Sequence, residues 1–219
     1  MSGATQATSQ WLGVFDQANL TPRYWATITL VGLQEMFEFY DFFLVGYLVA
    51  VLAPSWHLTY GQSSLMLLSA GVGSIVGALV FGKWSDRIGR KRPIAWGGVI
   101  FSAGCGACAL IPGGSWFIFS ICRFAVGFGL AGAVTTQNAL VVEMTPTRYR
   151  TFLSSMMLAP ASVGITLSAF VASALLPLIG WRWLCATGAL PIFISLGVWL
   201  WVPESVRWLL TQNRFEEAR

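Results

Sequence analysis

The chain has 219 residues, 56% of them hydrophobic and only 10% charged, with a formal net charge of +4. A soluble domain carries charge on about a quarter of its residues, so this composition excludes one and points to a chain that crosses a membrane several times. The basic excess is small and falls in short segments between apolar runs, which argues membrane orientation and sets nucleic acid aside as a partner.

Met1 to Gln10 is polar and lacks a basic stretch followed by an apolar core, so it does not read as a cleavable signal peptide, and the first membrane helix has to direct insertion. Residues 1–25 are expected to form a cytoplasmic tail, with Trp11, Leu12, Val14 and Phe15 at the interface. Residues 26–202 hold six apolar runs, which makes the fold an all-α membrane bundle, and residues 203–219 open a cytoplasmic loop.

The first helix is expected over Ala26 to Ala53 and contains Glu35, Glu38 and Asp41. A charge at the bilayer centre is unfavourable by roughly 2.5 to 3.5 kcal/mol, so three carboxyls in one helix need water, partners or protons. Their spacing of three spreads them over one face, where they can line a single polar cavity. Asp41 lies about twelve residues from the nearer helix end, or ~18 Å deep, a candidate proton carrier with Glu38 as the group that shares its proton. Glu35, closer to the helix start, is as readily a solvated carboxylate.

Pro54 to Gln62 is a turn without lysine or arginine, and the second helix, Ser63 to Gly82, carries Gly71, Gly73 and Gly77 at a spacing that lets helices pack closely. Gly82 to Pro93 then packs six charges, five of them basic, between two apolar runs, the mark of a cytoplasmic hairpin. Its glycines are expected to allow a tight turn and close approach, and Asp86 can pair with a neighbouring arginine or cap the next helix.

The third helix, Ile94 to Pro112, ends in a Pro-Gly-Gly turn, and the fourth runs from Trp116 to about Met144. Arg123 lies inside it among aromatic and aliphatic neighbours, and a guanidinium cannot shed its charge. It needs an anion: Asp41, as a counter-ion, or a carboxylate of a substrate. A short loop, Thr145 to Arg150, leads to a fifth helix ending near Gly180, and Trp183 to Val202 is the sixth, with kinks expected at Pro160 and Pro191.

On this topology eleven of the thirteen lysines and arginines fall on one side, only Arg182 on the other, and Arg123 within the membrane. Both termini are therefore expected in the cytoplasm, with the chain in a plasma or bacterial inner membrane. Cys105, Cys108, Cys122 and Cys185 all sit in apolar runs and behave as small hydrophobes. Cys105-Gly-Ala-Cys108 has redox or metal spacing, but no second pair or nearby histidine completes it, and no metal or other cofactor is expected.

Gly82-x-x-x-Asp86-Arg87-x-Gly89-Arg90-Lys91 resembles the signature loop between helices two and three of the major facilitator superfamily. Arg123-x-x-x-Gly127-x-Gly129 is similar to its fourth-helix motif, and Glu143-x-x-Pro146-x-x-x-Arg150 to the segment that follows. Pro203-Glu204-Ser205-Val206-Arg207-Trp208-Leu209 resembles the segment after helix six of sugar porters, which usually have proline where Val206 stands. The resemblance implies a bundle of two inverted three-helix repeats. It also implies a cytoplasmic latch of Gly82, Asp86, Arg87, Gly89, Arg90, Glu143, Arg150, Glu204 and Arg207; read without the resemblance, these are exposed loop charges of little individual weight.

Glu38-Phe-Tyr-Asp41 is similar to the paired acidic motif in the first helix of aromatic-acid:proton symporters, with glutamate replacing the first aspartate. Leu158 stands where sugar porters place a sugar-binding glutamine, and the fifth helix lacks the Gly-Pro pair of drug:proton antiporters. The resemblance thus implies a proton-coupled symporter of an organic or aromatic carboxylate rather than an enzyme, with Asp41, Glu38 and Arg123 as proton-coupling and substrate-binding residues. A sugar:proton symporter is the alternative, and a non-transporting membrane sensor or assembly subunit the rival of another class. Its partners are the lipid bilayer, a small-molecule substrate and a proton. Such transporters resemble two six-helix bundles, so a C-terminal six-helix half or a second chain is expected to complete it.

Overall fold

The computed structural model describes residues 20–212, 214 and 216. The expected tail and its interfacial Trp11, Leu12, Val14 and Phe15 lie outside the described residues but for the last few positions before the first helix. Among the described residues eight helices follow in order: α1 (Pro22–Ser55), α2 (Tyr60–Ile88), α3 (Lys91–Leu110), α4 (Trp116–Met144), α5 (Thr147–Met156), α6 (Leu158–Thr187), α7 (Pro191–Trp201) and α8 (Val206–Thr211).

Local chemistry sets their ends. Thr21 caps α1, its Oγ1 accepting from the N–H of Tyr24 at 3.2 Å, and Pro22 occupies the first turn, where its missing N–H is harmless. Thr59 and Gln62 form a reciprocal capping box at the start of α2, with bonds of 3.3 and 2.9 Å. Gly89 ends α2 with φ +97°, a conformation that a side chain disfavours.

The expected hairpin is shorter than the sequence suggests. α2 continues through Lys83, Asp86 and Arg87, and α3 resumes at Lys91, so only Gly89 and Arg90 link them. Gly82 is accordingly not a turn residue: it lies inside α2, and a Cβ built there meets nothing within 4 Å. Among the described residues Gly82 makes no close approach, because the helix carries on past it into the loop.

Four helices, α1 to α4, are long and apolar enough to cross a membrane, as is the run Thr147–Trp201. That run is 55 residues, far more than the ~20 one crossing needs. It holds two crossings, since Gly180 at φ 76° and ψ 170° breaks α6 and turns the chain back. The helical path is also interrupted at Met157 and over Gly188–Leu190, each break ending three residues or fewer before Pro160 and Pro191, prolines that withhold an N–H from the preceding turn.

α2 and α3 both pack on α4, α6 packs on α1, and α3 meets both α6 and α7. Exchanging the first three crossings with the last three maps the pairing of second on fourth onto fifth on first, the contact pattern of a repeated three-helix unit. Small residues make these seams. A Cβ on Gly73 or Gly77 would strike the carbonyls of Phe124 or Phe128, and one on Gly127 would strike that of Ala70. α2 and α4 therefore touch backbone to backbone. Gly164 meets Met36 in the equivalent way at the α1–α6 seam.

Along α1, one apolar cluster gathers Tyr24, Ile28 and Val31 with Ile94, Leu140 and Val198, and another gathers Leu44, Leu48 and Leu52 with Met66, Phe119 and Leu184. The buried polar residues Gln34, Glu38 and Asp41 lie between them.

Candidate functional site

Among the described residues, the bundle interior holds one ion pair. Arg123 Nη1 donates to Asp41 Oδ2 at 2.8 Å, and each side chain is only 2% exposed. α1 supplies the carboxylate and α4 the guanidinium, mates in the three-helix repeat. The Cys105 thiol donates to the other carboxylate oxygen, Oδ1, at 3.4 Å. Cys105 is thus more than a small hydrophobe, although like Cys108 and Cys185 it is buried in an apolar helix seam. Among the described residues, no three His, Cys, Asp or Glu side chains converge as metal ligands.

Glu38 forms a neighbouring, separate group. Its Oε1 accepts from Gln137 Nε2 at 2.9 Å and from Gln34 Nε2 at 3.2 Å, while Glu35 lies a turn away and is 5% exposed. Glu38 and Asp41 share no hydrogen bond between described groups, so a proton would pass between them only through an added carrier. Gln34 and Gln137 were not singled out from sequence. A signal existed: Gln34 precedes Glu38 by one turn, and Gln137 follows Arg123 by fourteen residues, close to four whole turns, hence on the same face of α4.

Several buried polar atoms here have no partner among the described residues: Arg123 Nε and Nη2, Glu38 Oε2, Glu35 Oε2, Gln34 Oε1 and Gln137 Oε1. Buried polar atoms are nearly always satisfied. Nε and Nη2 form the side-on edge by which a guanidinium grips a carboxylate at two points. The interior is therefore equipped for a further polar occupant.

A second charged cluster lies at the end of the bundle that carries the basic loops. Arg90 reaches Asp86 Oδ1 at 2.8 Å and Ser85 Oγ at 2.7 Å through Nη1, and Glu143 through Nε at 3.2 Å and Nη2 at 2.8 Å. Burial works to lower the Arg90 pKa, and the Glu143 and Asp86 carboxylates outweigh it, so the group stands above the ordinary arginine value. Glu204 Oε1 accepts from the backbone N–H groups of Arg90 (2.6 Å), Lys91 (3.2 Å) and Ser205 (3.0 Å), closing the start of α3.

Trp208 Nε1 donates to the Asp86 carbonyl at 3.0 Å, tying α8 to the end of α2. Of the residues expected in a latch, Asp86, Arg90, Glu143 and Glu204 come together around Gly89. Arg87 and Arg150 make no ion pair among the described residues; Arg150 Nη2 instead reaches the Thr145 carbonyl at 3.4 Å and Thr147 Oγ1 at 3.3 Å. Arg207 lies on α8, half-buried beside Trp208 in sequence. Ser85, Ser205 and Trp208 complete the cluster and were invisible to reasoning from charges alone.

The two carboxylates on Arg90 differ in weight. Asp86 is 71% exposed and Glu143 only 20%, so Asp86→Asn should lower stability by about 0–1 kcal/mol. Glu143→Gln leaves Arg90 without its two-point partner and should lower it by about 1–3 kcal/mol. Thermal unfolding of the purified protein in detergent separates the two, and equal losses would show that burial does not divide the network.

The Major Facilitator Superfamily profile matches residues 31–218. A benzoate transport protein of Acinetobacter baylyi is 30% identical over 213 residues, covering 94% of this chain and 45% of its own length. The 4-hydroxybenzoate transporter PcaK of the same species is 30% identical over 214 residues, 96% of this chain and 46% of its own. The chain thus spans about half the length of the curated relatives it matches. Among solved structures, the partially occluded inward-open xylose transporter XylE of E. coli superposes with a TM-score of 0.79 at 22% identity, over 89% of this chain and 53% of that one. That likeness concerns the fold. With the profile spanning most of the sequence and the six crossings in place, the chain belongs to the Major Facilitator Superfamily.

Proposed function

We propose that this chain is the N-terminal half of a proton-coupled symporter for a small organic carboxylate, aromatic acids foremost. The observation that carries the reading is the enclosed Arg123–Asp41 pair, with the guanidinium edge Nε and Nη2 unpartnered among the described residues. When Asp41 takes up a proton, Arg123 loses its anion and can take a substrate carboxylate in its place. The interior then holds one cation and one anion both before and after, so proton and substrate enter together. Glu38, held by Gln34 and Gln137, supplies a second polar group beside that exchange. The relatives named for benzoate and 4-hydroxybenzoate support the substrate class.

The second six-helix bundle, on the same polypeptide or another, would supply the other wall of the cavity and the surface against which this half rocks. Both termini of this half then face the cytoplasm of a cell membrane, with the cluster around Arg90 closing that side in one state.

Uptake by the complete gene product in proteoliposomes tests the proposal. With the lumen made alkaline, labelled benzoate or 4-hydroxybenzoate is expected to accumulate above the outside concentration and faster than in protein-free liposomes, where the neutral acid enters by diffusion alone, and a protonophore to collapse the accumulation. Accumulation indifferent to the protonophore, or none of either acid, overturns the reading.

A further inference from the structure

Two features outside the interior site meet at one residue. At the end of the bundle bearing the basic loops, a cavity of about 590 Å³ is lined by Arg87, Lys91, Arg92 and Arg214, with Trp199 and Trp208 beside them and one carboxylate, Glu204. One carboxylate among four basic groups leaves the lining with an excess of positive charge, and its Oε1 also accepts from three backbone N–H groups. Beside the cavity, an apolar groove of about 470 Å³ runs between α3 and α7 past Trp96, Val99, Ile192 and Leu196. Trp199 lines both. Its ring packs edge-on against Trp96, centroids 6.4 Å apart, and tryptophans are enriched at membrane interfaces.

We propose that this pair of features is a binding site for one anionic phospholipid: the phosphate sits in the basic cavity and an acyl chain lies in the groove, with Trp199 at the glycerol level. A membrane bundle meets bulk lipid over its outer surface, but here the groove shares Trp199 with a cavity whose charge selects among headgroups. Arginine forks and a lysine ammonium suit phosphate oxygens, whereas the cationic end of a zwitterionic headgroup is repelled by four basic neighbours. A soluble phosphate compound fits the cavity alone, and the apolar groove that shares Trp199 with it is what assigns the site to a lipid.

Native mass spectrometry of the complete protein in detergent, titrated with phosphatidylglycerol and with phosphatidylcholine of the same acyl chains, reads the proposal. Phosphatidylglycerol should be retained about tenfold more tightly, and the preference should shrink as ammonium acetate is raised. Arg92→Gln with Arg214→Gln should abolish the preference, a roughly ten- to thirtyfold loss for phosphatidylglycerol. Leu196→Trp, which fills the groove and leaves every charge in place, should weaken both lipids and leave phosphate binding untouched. Far-ultraviolet circular dichroism confirms that each variant folds. Equal retention of the two lipids overturns the proposal. So does displacement of phosphatidylglycerol by an equal concentration of inorganic phosphate, which would assign the cavity to a soluble anion, or parental selectivity in the folded double variant.

Discussion

Asp41→Asn is expected to abolish accumulation driven by a pH gradient and, separately, to lower the stability of the bundle by about 3–5 kcal/mol, the effect of stranding one member of a buried ion pair. The partner left behind is Arg123, 2% exposed and unable to become neutral. Arg123→Gln strands a carboxyl instead, which can take up a proton, so its loss should be smaller. The double variant Asp41→Asn with Arg123→Gln leaves no lone charge and should recover most of the stability while remaining unable to couple. Unfolding in mixed micelles of rising dodecyl sulfate content measures all three beside the parent. A single Asp41→Asn protein as stable as the parent would show that the Arg123–Asp41 pair does not hold the bundle together. Retained gradient-driven accumulation in that variant would remove Asp41 from proton coupling altogether.

Gly127→Ala should lower stability by about 3 kcal/mol, at the upper end of what overpacking does. The added methyl group would overlap the carbonyl of Ala70, and both sides of the contact are helical backbone, which has no rotamer by which to yield. α2 must move off α4, and the bond from Ser74 Oγ to the Gly127 carbonyl, 3.2 Å, breaks with it. Gly71→Ala on the facing helix, α2, meets nothing within 4 Å and should stay within about 0.5 kcal/mol of the parent. The same titration in dodecyl sulfate distinguishes them. Similar behaviour of the two variants would refute the backbone-to-backbone seam.

Long apolar runs, the Pro-Gly turn after the third helix and the one-sided distribution of lysine and arginine made the crossings legible in the sequence, because in hydrocarbon a helix must satisfy its own backbone and its length is set by the bilayer. Expected and observed bounds of the fourth helix coincide, since Trp116 follows a Gly-Gly-Ser turn and Met144 precedes Thr145-Pro146. The charged loop was harder to bound. Hydropathy ends a helix where charges begin, yet backbone hydrogen bonds carry α2 through Lys83 and Asp86 to Gly89, and only the left-handed conformation there stops it.

Partnership was decided by the tertiary structure alone. Depth in the membrane marked Asp41 and Arg123 as needing ligands, but their pairing across 82 positions depends on α1 and α4 occupying equivalent places in two three-helix units. The same packing gave Glu38 to Gln34 and Gln137 rather than to Asp41, and gathered Asp86, Arg90, Glu143 and Glu204 while leaving Arg150 on the Thr145 carbonyl. The physical reason is range: burial in a membrane is a property of one helix and its own residues, whereas an ion pair needs side-chain atoms of two helices within about 3 Å of each other, and the glycines in the seams set how closely those helices approach.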